Sequence, residues 1–389
     1  MNSDHLLGVY GPRDLTIVRG QGSYIWDSGG NRYLDCVTGV AVNALGHSHP
    51  AVVEAIRKQA ELFIHASNLY VLPTQRDLAG KLSALSGFDS VFFSNSGAEA
   101  NEGAFKFARH YFVSGGNAER NEVVSFSNSF HGRTYAAMAA TGQDKIRLGF
   151  GPLPPGFVTV PVNDAEALRK AIGPKTAAVI FEGVLAEGGV IDLSPAIVAV
   201  LREAQTQGVL LIADEIQTGL WRTGTFLVSE TLGLKPDLVT LAKPLGGGLP
   251  LGAVLVSEKI AATLKAGDHG STFGGNPVAC AAGLAVLTIL SDPAFVKDLN
   301  ERMNFLRTEL ASLIQKKASS GVAVGPLSGR GFLIGIGWKN DLTALQKKLR
   351  DEGVLAHRAG ANVLRLLPPL NISRDEMREL LGALDRAME

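Results

Sequence analysis

Along residues 90–241 short apolar runs of strand length end on polar residues, and the stretches between them carry apolar residues at helical spacing. The runs SVFFS, EVVSF, AAVIF, VLLIA and LVTL close near Ser94, Asn128, Glu182, Glu215 and Lys243. AIVAVLREAQTQG and the segment after Gly97 supply helices between them. This alternation predicts an α/β fold with a large domain built on a mostly parallel central sheet, whose strands are buried on both faces and so read as unbroken apolar runs. Ligands bind such open sheets at the carboxyl ends of the strands, which is where the polar residues gather.

The two ends of the chain read differently. After Thr16, alternating apolar residues around Asp27-Ser28-Gly29-Gly30 predict a small meander with a tight turn. His47 and His49 flank a loop that starts the helix AVVEAIRKQAEL, with no third metal ligand nearby. From about residue 295 a long amphipathic helix leads to the strand FLIGIGW, the helix LTALQKKLRDEG, the strand NVLRLLPP and a closing helix, the pattern of a smaller α/β domain. The expected division is an N-terminal segment, 1–45, packing with the small domain; a large domain, 46–277; and a connecting helix with the small C-terminal domain, 278–389.

At 389 residues and 46% apolar, the chain has enough material for two cores. Lys plus Arg equals Asp plus Glu, and no basic block stands out, so charge gives no case for nucleic acid. The longest apolar run, VACAAGLAVLTIL, falls short of the roughly 20 residues of a spanning helix and predicts a core helix. Two distant cysteines, Cys36 and Cys280, fit a reducing compartment, and the N-terminus lacks the apolar stretch of a secretion signal. A cytoplasmic protein without membrane attachment is expected.

The chemistry concentrates in two strand ends. VLLIADEIQTG delivers Asp214 and Glu215 to the sheet edge, and DLVTLAK delivers Lys243 ahead of Gly246, Gly247 and Gly248. An acid and an amine so placed can hold an aldehyde cofactor as a Schiff base and keep its ring protonated. VLLIADE also fits a nucleotide hydrolase, but the G-x-x-x-x-G-K-[ST] loop which that chemistry needs is missing. SVFFSNSGAEANE turns into a long helix with Ser96 and Glu99 at capping-box spacing; its free amides at Gly97 and Ala98 suit a phosphate, although an ordinary strand-to-helix corner uses the same residues. Phe130, His131 and Arg133 end a further strand, Glu182 and Glu187 another, and the glycine-rich loop 270–277 presents Ser271 and Thr272.

These segments, with VRGQGSYIWD, GVAVNALGHSHP, FHGRT, RTG at 222, LAKPLGGG, HGSTFGGNP, RGFLIGI and VLRLLPPLN, make the chain resemble the class III (omega) aminotransferases among the fold-type I pyridoxal phosphate enzymes, almost end to end. The resemblance implies pyridoxal 5'-phosphate as cofactor, bound in the large domain and held covalently by Lys243, which then moves the proton. It implies Asp214 at the pyridine nitrogen, amides of Gly97 and Ala98 and the neighbouring Ser96 at the phosphate, and Thr272 reaching the phosphate of the partner subunit's cofactor. Phe130 and Ile216 would face the two sides of the ring, with Gln217 at its hydroxyl and Glu215 beside Asp214. Arg133 and Arg365 would fork onto carboxylates, Glu187 masking Arg365 when no carboxylate is present, and Ser271 would touch substrate; for each arginine a structural ion pair is the alternative. A homodimer with shared active sites follows.

The implied reaction takes the terminal amine of N-acetylornithine to 2-oxoglutarate. Other omega-amine donors (succinylornithine, ornithine, 4-aminobutyrate, a carrier-linked lysine precursor) and an aminomutase on the same scaffold are the competing expectations. The chain departs from the family at Gly183 and Leu185, where proline and glutamine are usual, at Trp221 and at Pro244. Leu185 and Trp221 are expected to make the pocket wall less polar and bulkier.

Overall fold

The computed structural model describes residues 5–11 and 13–389. Residues 1–4 and 12 of the expected N-terminal segment lie outside the described residues.

The central sheet has seven strands: β1 (Ser90–Ser94), β2 (Glu122–Phe126), β3 (Phe157–Val160), β4 (Thr176–Phe181), β5 (Leu210–Asp214), β6 (Leu238–Leu241) and β7 (Gly252–Val256). Their spatial order is β1-β7-β6-β5-β4-β2-β3, and β7 alone runs antiparallel to its neighbours. Every residue of β4, β5, β6 and β7 is buried, as expected of strands covered on both faces. β3 and β7 were not anticipated from the sequence. After Lys243 the chain makes a short 3-10 turn, Lys243–Gly246, and comes back as β7 between β6 and β1, a return that needs no crossover helix.

Gly97–Ser114 starts directly after β1 with Ser96 as its cap: the Ser96 hydroxyl accepts the Glu99 amide at 3.2 Å. The reciprocal half of the expected capping box is displaced by one residue. Glu99 Oε2 accepts the main-chain amide of Asn95 at 2.8 Å, and the Asn95 side-chain amide as well, which stiffens the β1-to-helix corner. The apolar run at 278 is indeed a core helix, Pro277–Leu290, capped by Asn276 and lined with buried Ala, Val and Leu. No single helix among the described residues is long and apolar enough to cross a membrane.

The N-terminal strands Ile17–Gln21, Tyr24–Asp27 and Arg32–Asp35 form an antiparallel meander. Its tight turn is held by Asp27, whose Oδ1 accepts the amides of Gly29 and Asn31. Val354–Leu355, from the C-terminal part, adds to this meander in parallel with Arg32–Asp35. Beyond the long helix Pro293–Ser319, the strands Val324–Arg330, Leu333–Trp338, Val363–Leu366 and His357–Ala359 make a second, antiparallel sheet. Its first strand, VGPLSGR, has the glycines and proline of a loop and an irregular register, so its sequence hides it.

Between these parts sits a single left-handed helical turn, Thr38–Ala41, with φ of 50°, 64°, 62° and 65°. Left-handed backbone costs about 1–2 kcal/mol per non-glycine residue, and valine at position 40 is a strong exception to preference. Asp35 Oδ1 accepts the amides of Val37 and Thr38, and Thr38 Oγ1 donates to the Leu367 carbonyl. Ala41 packs in an apolar cluster with Val184, Ala186, Val190, Leu333 and Leu367. The turn thus ties the N-terminal segment to the strand that carries Arg365.

Candidate active site

Sheet edge, helix start and left-handed turn enclose a cavity of about 420 Å³ lined by Val42, Ser96, Gly97, Ala98, Phe130, Arg133, Glu182, Asp214, Ile216, Gln217 and Lys243, among others. Lys243 and Asp214, from adjacent strands β6 and β5, therefore open into one hollow. Lys243 takes φ +44° as it leaves β6. Burial pushes its amine down to about 8; the charge of Arg365 adds to this, while Glu187, Asp214 and Glu182 pull the other way.

Asp214 is held on all sides. Its Oδ2 accepts from the Asn101 side-chain amide at 2.9 Å and lies 2.8 Å from His131 Nδ1, while Oδ1 accepts the Ile216 amide at 3.1 Å. Asn101 in turn donates to the His131 carbonyl and accepts from Thr240 Oγ1. Asn101 is a polar residue on the buried face of the helix Gly97–Ser114, and that mismatch is the signal by which the sequence could have revealed it. His131 and Glu182 were visible as strand ends, but that His131 pairs with this acid and that Glu182 lies near it needed the fold.

The helix start is shaped for a close approach. Its first amides precede any intrahelical acceptor, and a Cβ at Gly97 would sit 2.7 Å from Ile216 Cδ1. A Cβ at Gly132 would likewise meet Ala98 Cβ at 2.7 Å. The cradle is thus bare backbone where an anion would need to reach it.

Arg365, fully buried, is joined to the cavity wall through Gln217. Its Nη1 donates to Glu187 Oε1 at 2.6 Å, to Gln217 Oε1 at 3.0 Å and to the Ala186 carbonyl at 3.0 Å, and Gln217 Nε2 donates to Glu187 Oε1 at 3.1 Å. Arg365 Nε and Nη2 are buried without a partner, so one edge of the fork is unsatisfied. Burial alone would raise the Glu187 carboxyl, but Arg365 and Lys243 outweigh it and hold it at about 2. Arg133 is exposed at the cavity mouth, its guanidinium 5.8 Å from the centre of the Phe130 ring.

Not every expected residue converges here. Glu215 faces away from the cavity: its carboxylate accepts the amides of Val228 and Ser229 and the Thr218 hydroxyl, and it caps the short helix Val228–Thr231 instead of approaching a cofactor. Ser271 and Thr272 line a separate hollow with Ser67, Asn68 and His269. Ser271 Oγ accepts the Asn95 side-chain amide at 3.3 Å, which links the two hollows.

The departures from family pattern also lie elsewhere than expected. Leu185 is fully buried in the main core, and Trp221 packs there on Phe226 with ring centres 5.1 Å apart, so neither lines the cavity. Pro244 is buried in the first turn after Lys243, a position with no amide to satisfy. At Gly183 a Cβ would sit 2.3 Å from Val228 Cγ1, so the glycine accommodates a neighbouring valine. Gly183→Ala should therefore destabilise the chain by about 1–3 kcal/mol, and Val228→Ala in the same chain should recover most of it. Urea midpoints read the result, and an unchanged midpoint for Gly183→Ala would refute the clash.

The family model described as aminotransferase class-III matches residues 9–388. Acetylornithine aminotransferase 1 of Bradyrhizobium diazoefficiens is 45% identical over 384 residues, covering 98% of this chain and 94% of that protein. Acetylornithine aminotransferase of Methanocaldococcus jannaschii is 44% identical over 382 residues, covering 97% and 94%. Among solved structures, ornithine aminotransferase from Toxoplasma gondii superposes with a TM-score of 0.93 at 32% identity, covering 99% of this chain and 92% of that one. N-acetylornithine aminotransferase from Stenotrophomonas maltophilia gives 0.84 at 34% identity, covering 98% and 97%.

Proposed function

The chain belongs to the class-III aminotransferases, and from that premise we propose that it transfers the terminal amine of N-acetylornithine to 2-oxoglutarate, yielding N-acetylglutamate 5-semialdehyde and glutamate, a step of arginine biosynthesis. It is a pyridoxal phosphate-dependent aminotransferase of fold-type I. The residues present fit that cofactor: one cavity offers a buried amine, a buried acid, an aromatic and an aliphatic wall, and an uncovered helix start. When bound, pyridoxal phosphate supplies an aldehyde that takes up the amine and a protonated ring that accommodates the electron pair left at carbon.

The protein's own part is then placement and proton transfer. Lys243, near neutrality in its proton balance, holds the cofactor and carries the proton at the substrate carbon. Asp214, oriented by Asn101, His131 and the Ile216 amide, would hold the ring nitrogen protonated. Amides of Gly97 and Ala98 take the phosphate, with the Ser96 hydroxyl beside them, while Phe130 and Ile216 confine the ring and Gln217 approaches its hydroxyl. Arg133 at the mouth takes a carboxylate common to donor and acceptor. Arg365 serves the second carboxylate of 2-oxoglutarate, and Glu187 neutralises it when the donor, whose amine-bearing carbon carries no carboxylate, occupies the site.

The observation that carries this reading is the Glu187–Arg365 pair at 2.6 Å beside a lysine-and-acid cavity, a site able to receive a charged end or a neutral one. Purified protein assayed with a panel of omega-amines and 2-oxoglutarate should favour N-acetylornithine; equal or better turnover of another donor would remove that assignment. Arg133→Ala should raise KM for donor and acceptor about tenfold or more, the worth of a hydrogen bond to a charge, with kcat little changed. An unaltered KM would return Arg133 to a structural role.

A homodimer with shared sites is part of the proposal. Thr272 and Ser271 lie outside the Lys243 cavity; exposed Leu69 lines their hollow, and exposed Tyr70 and Phe273 are chain neighbours of its lining residues, which suits a partner subunit. Sedimentation of this 41.0 kDa chain as a monomer would contradict it. Two free, buried cysteines fit a cytoplasmic location, which cell fractionation would check.

A further inference from the structure

Glu182 lines the cavity next to Asp214 and has no task in the scheme above. It follows β4 and is 5% exposed. Each of its oxygens is engaged by a main-chain amide from a different wall: Oε1 accepts from Phe130 at 2.9 Å and Oε2 from Ala186 at 3.2 Å. Phe130 is the aromatic wall. Ala186 precedes Glu187 on the hairpin Val184–Leu185 to Ile191–Asp192, and its carbonyl receives Arg365 Nη1.

We propose that Glu182 is a positioning residue whose carboxylate ties the Phe130 amide to the Ala186 amide across the cofactor cavity, fixing the aromatic wall and the Glu187–Arg365 pair at one separation. Two amide donors are best met by the two oxygens of the ionised carboxylate; protonation turns one of them into a hydroxyl, a weaker acceptor that brings a further hydrogen into a site already holding donors. The groups facing it are His131 and Asp214 from the neighbouring loop and strand, with Lys243 across the cavity. Burial raises the Glu182 carboxyl and Asp214 adds to the rise, while His131 and the two amides oppose it; the balance lies at about 7. The tie is therefore complete above neutrality and is lost as the pH falls through it.

This inference rests on the functional reading above. The test compares wild type, Glu182→Gln and Glu182→Asp as full-length protein. Glutamine keeps the length but can accept only one amide; aspartate keeps the charge but is a methylene short of spanning both. Each should raise the dissociation constant of pyridoxal phosphate for the apoprotein and the KM for 2-oxoglutarate about tenfold, one charge-assisted hydrogen bond being lost. The acid limb of kcat/KM near pH 7 should vanish in the glutamine variant, which takes up no proton there, and weaken in the aspartate variant, whose tie is already broken. If the glutamine variant does not fold, cofactor affinity and KM of the aspartate variant decide. Variants that lose only thermal stability, with affinity, KM and pH limb as in wild type, would overturn the proposal. Wild type that bound no pyridoxal phosphate would overturn the functional reading and this one with it; an active wild type beside matching variants would overturn this one alone.

Discussion

Lys243→Ala should lose at least about 10⁴-fold in kcat, since it removes both the covalent anchor of the cofactor and the base at the reacting carbon, each a large contribution. Cofactor binding should survive in weakened form, because the phosphate site lies on the helix start after β1, away from β6. Turnover assays and cofactor retention on gel filtration read the two effects separately. A variant that no longer binds pyridoxal phosphate at all would count against this layout. The same lysine makes a pH prediction for the apoprotein. Its folded pKa, about 8, lies below the ordinary 10.5, so between these values the unfolded chain binds more protons and stability rises with pH. Below pH 8 the buried charge costs its full amount. The melting temperature of wild type relative to Lys243→Ala should therefore climb from pH 8 to 10.5; a flat difference would mean the amine is solvated.

Asp214→Asn should lower kcat about 10³-fold with little change in KM. An ion pair at about 4 Å with an effective dielectric near 20 is worth roughly 4 kcal/mol, or about 3 pK units favouring a ring cation. Asparagine keeps the shape of the side chain and forfeits that charge. His131 and Asn101 donate to the carboxylate oxygen that the change alters, so thermal stability should be measured alongside. A kcat within tenfold of wild type would show that Asp214 does not face the reacting ring.

The large sheet was legible because strands such as β4, β5 and β6 are buried on both faces and end on polar residues at one edge. β7 was not: it follows a glycine-rich turn and runs against its neighbours, a reversal that no apolar run reveals. Lys243, Asp214, Phe130 and Ile216 were legible through the resemblance of their motifs, and the fold brings all four to one cavity. Glu215 was misplaced for a simple reason. Consecutive residues leaving a strand point to opposite faces, so the residue after an inward-facing Asp214 is turned toward Val228 and Ser229. Leu185 and Trp221 were read as pocket residues because they interrupt familiar motifs; the structure puts both in the core, where Leu185 is buried to 0% exposure and the change concerns packing. The left-handed turn at Thr38–Ala41 has one glycine and a β-branched residue, and local preference argues against it. Contacts from Asp35 and Leu367, distant in sequence from each other, hold it in place.

The central claim is that Lys243 carries the cofactor within reach of Asp214. Borohydride reduction of the protein loaded with pyridoxal phosphate, followed by peptide mass mapping, tests it most directly. The pyridoxyl phosphate mass should appear on the peptide containing Lys243 and should be absent from the Lys243→Ala protein. Its appearance on a different lysine in an enzyme that still turns over would contradict the account.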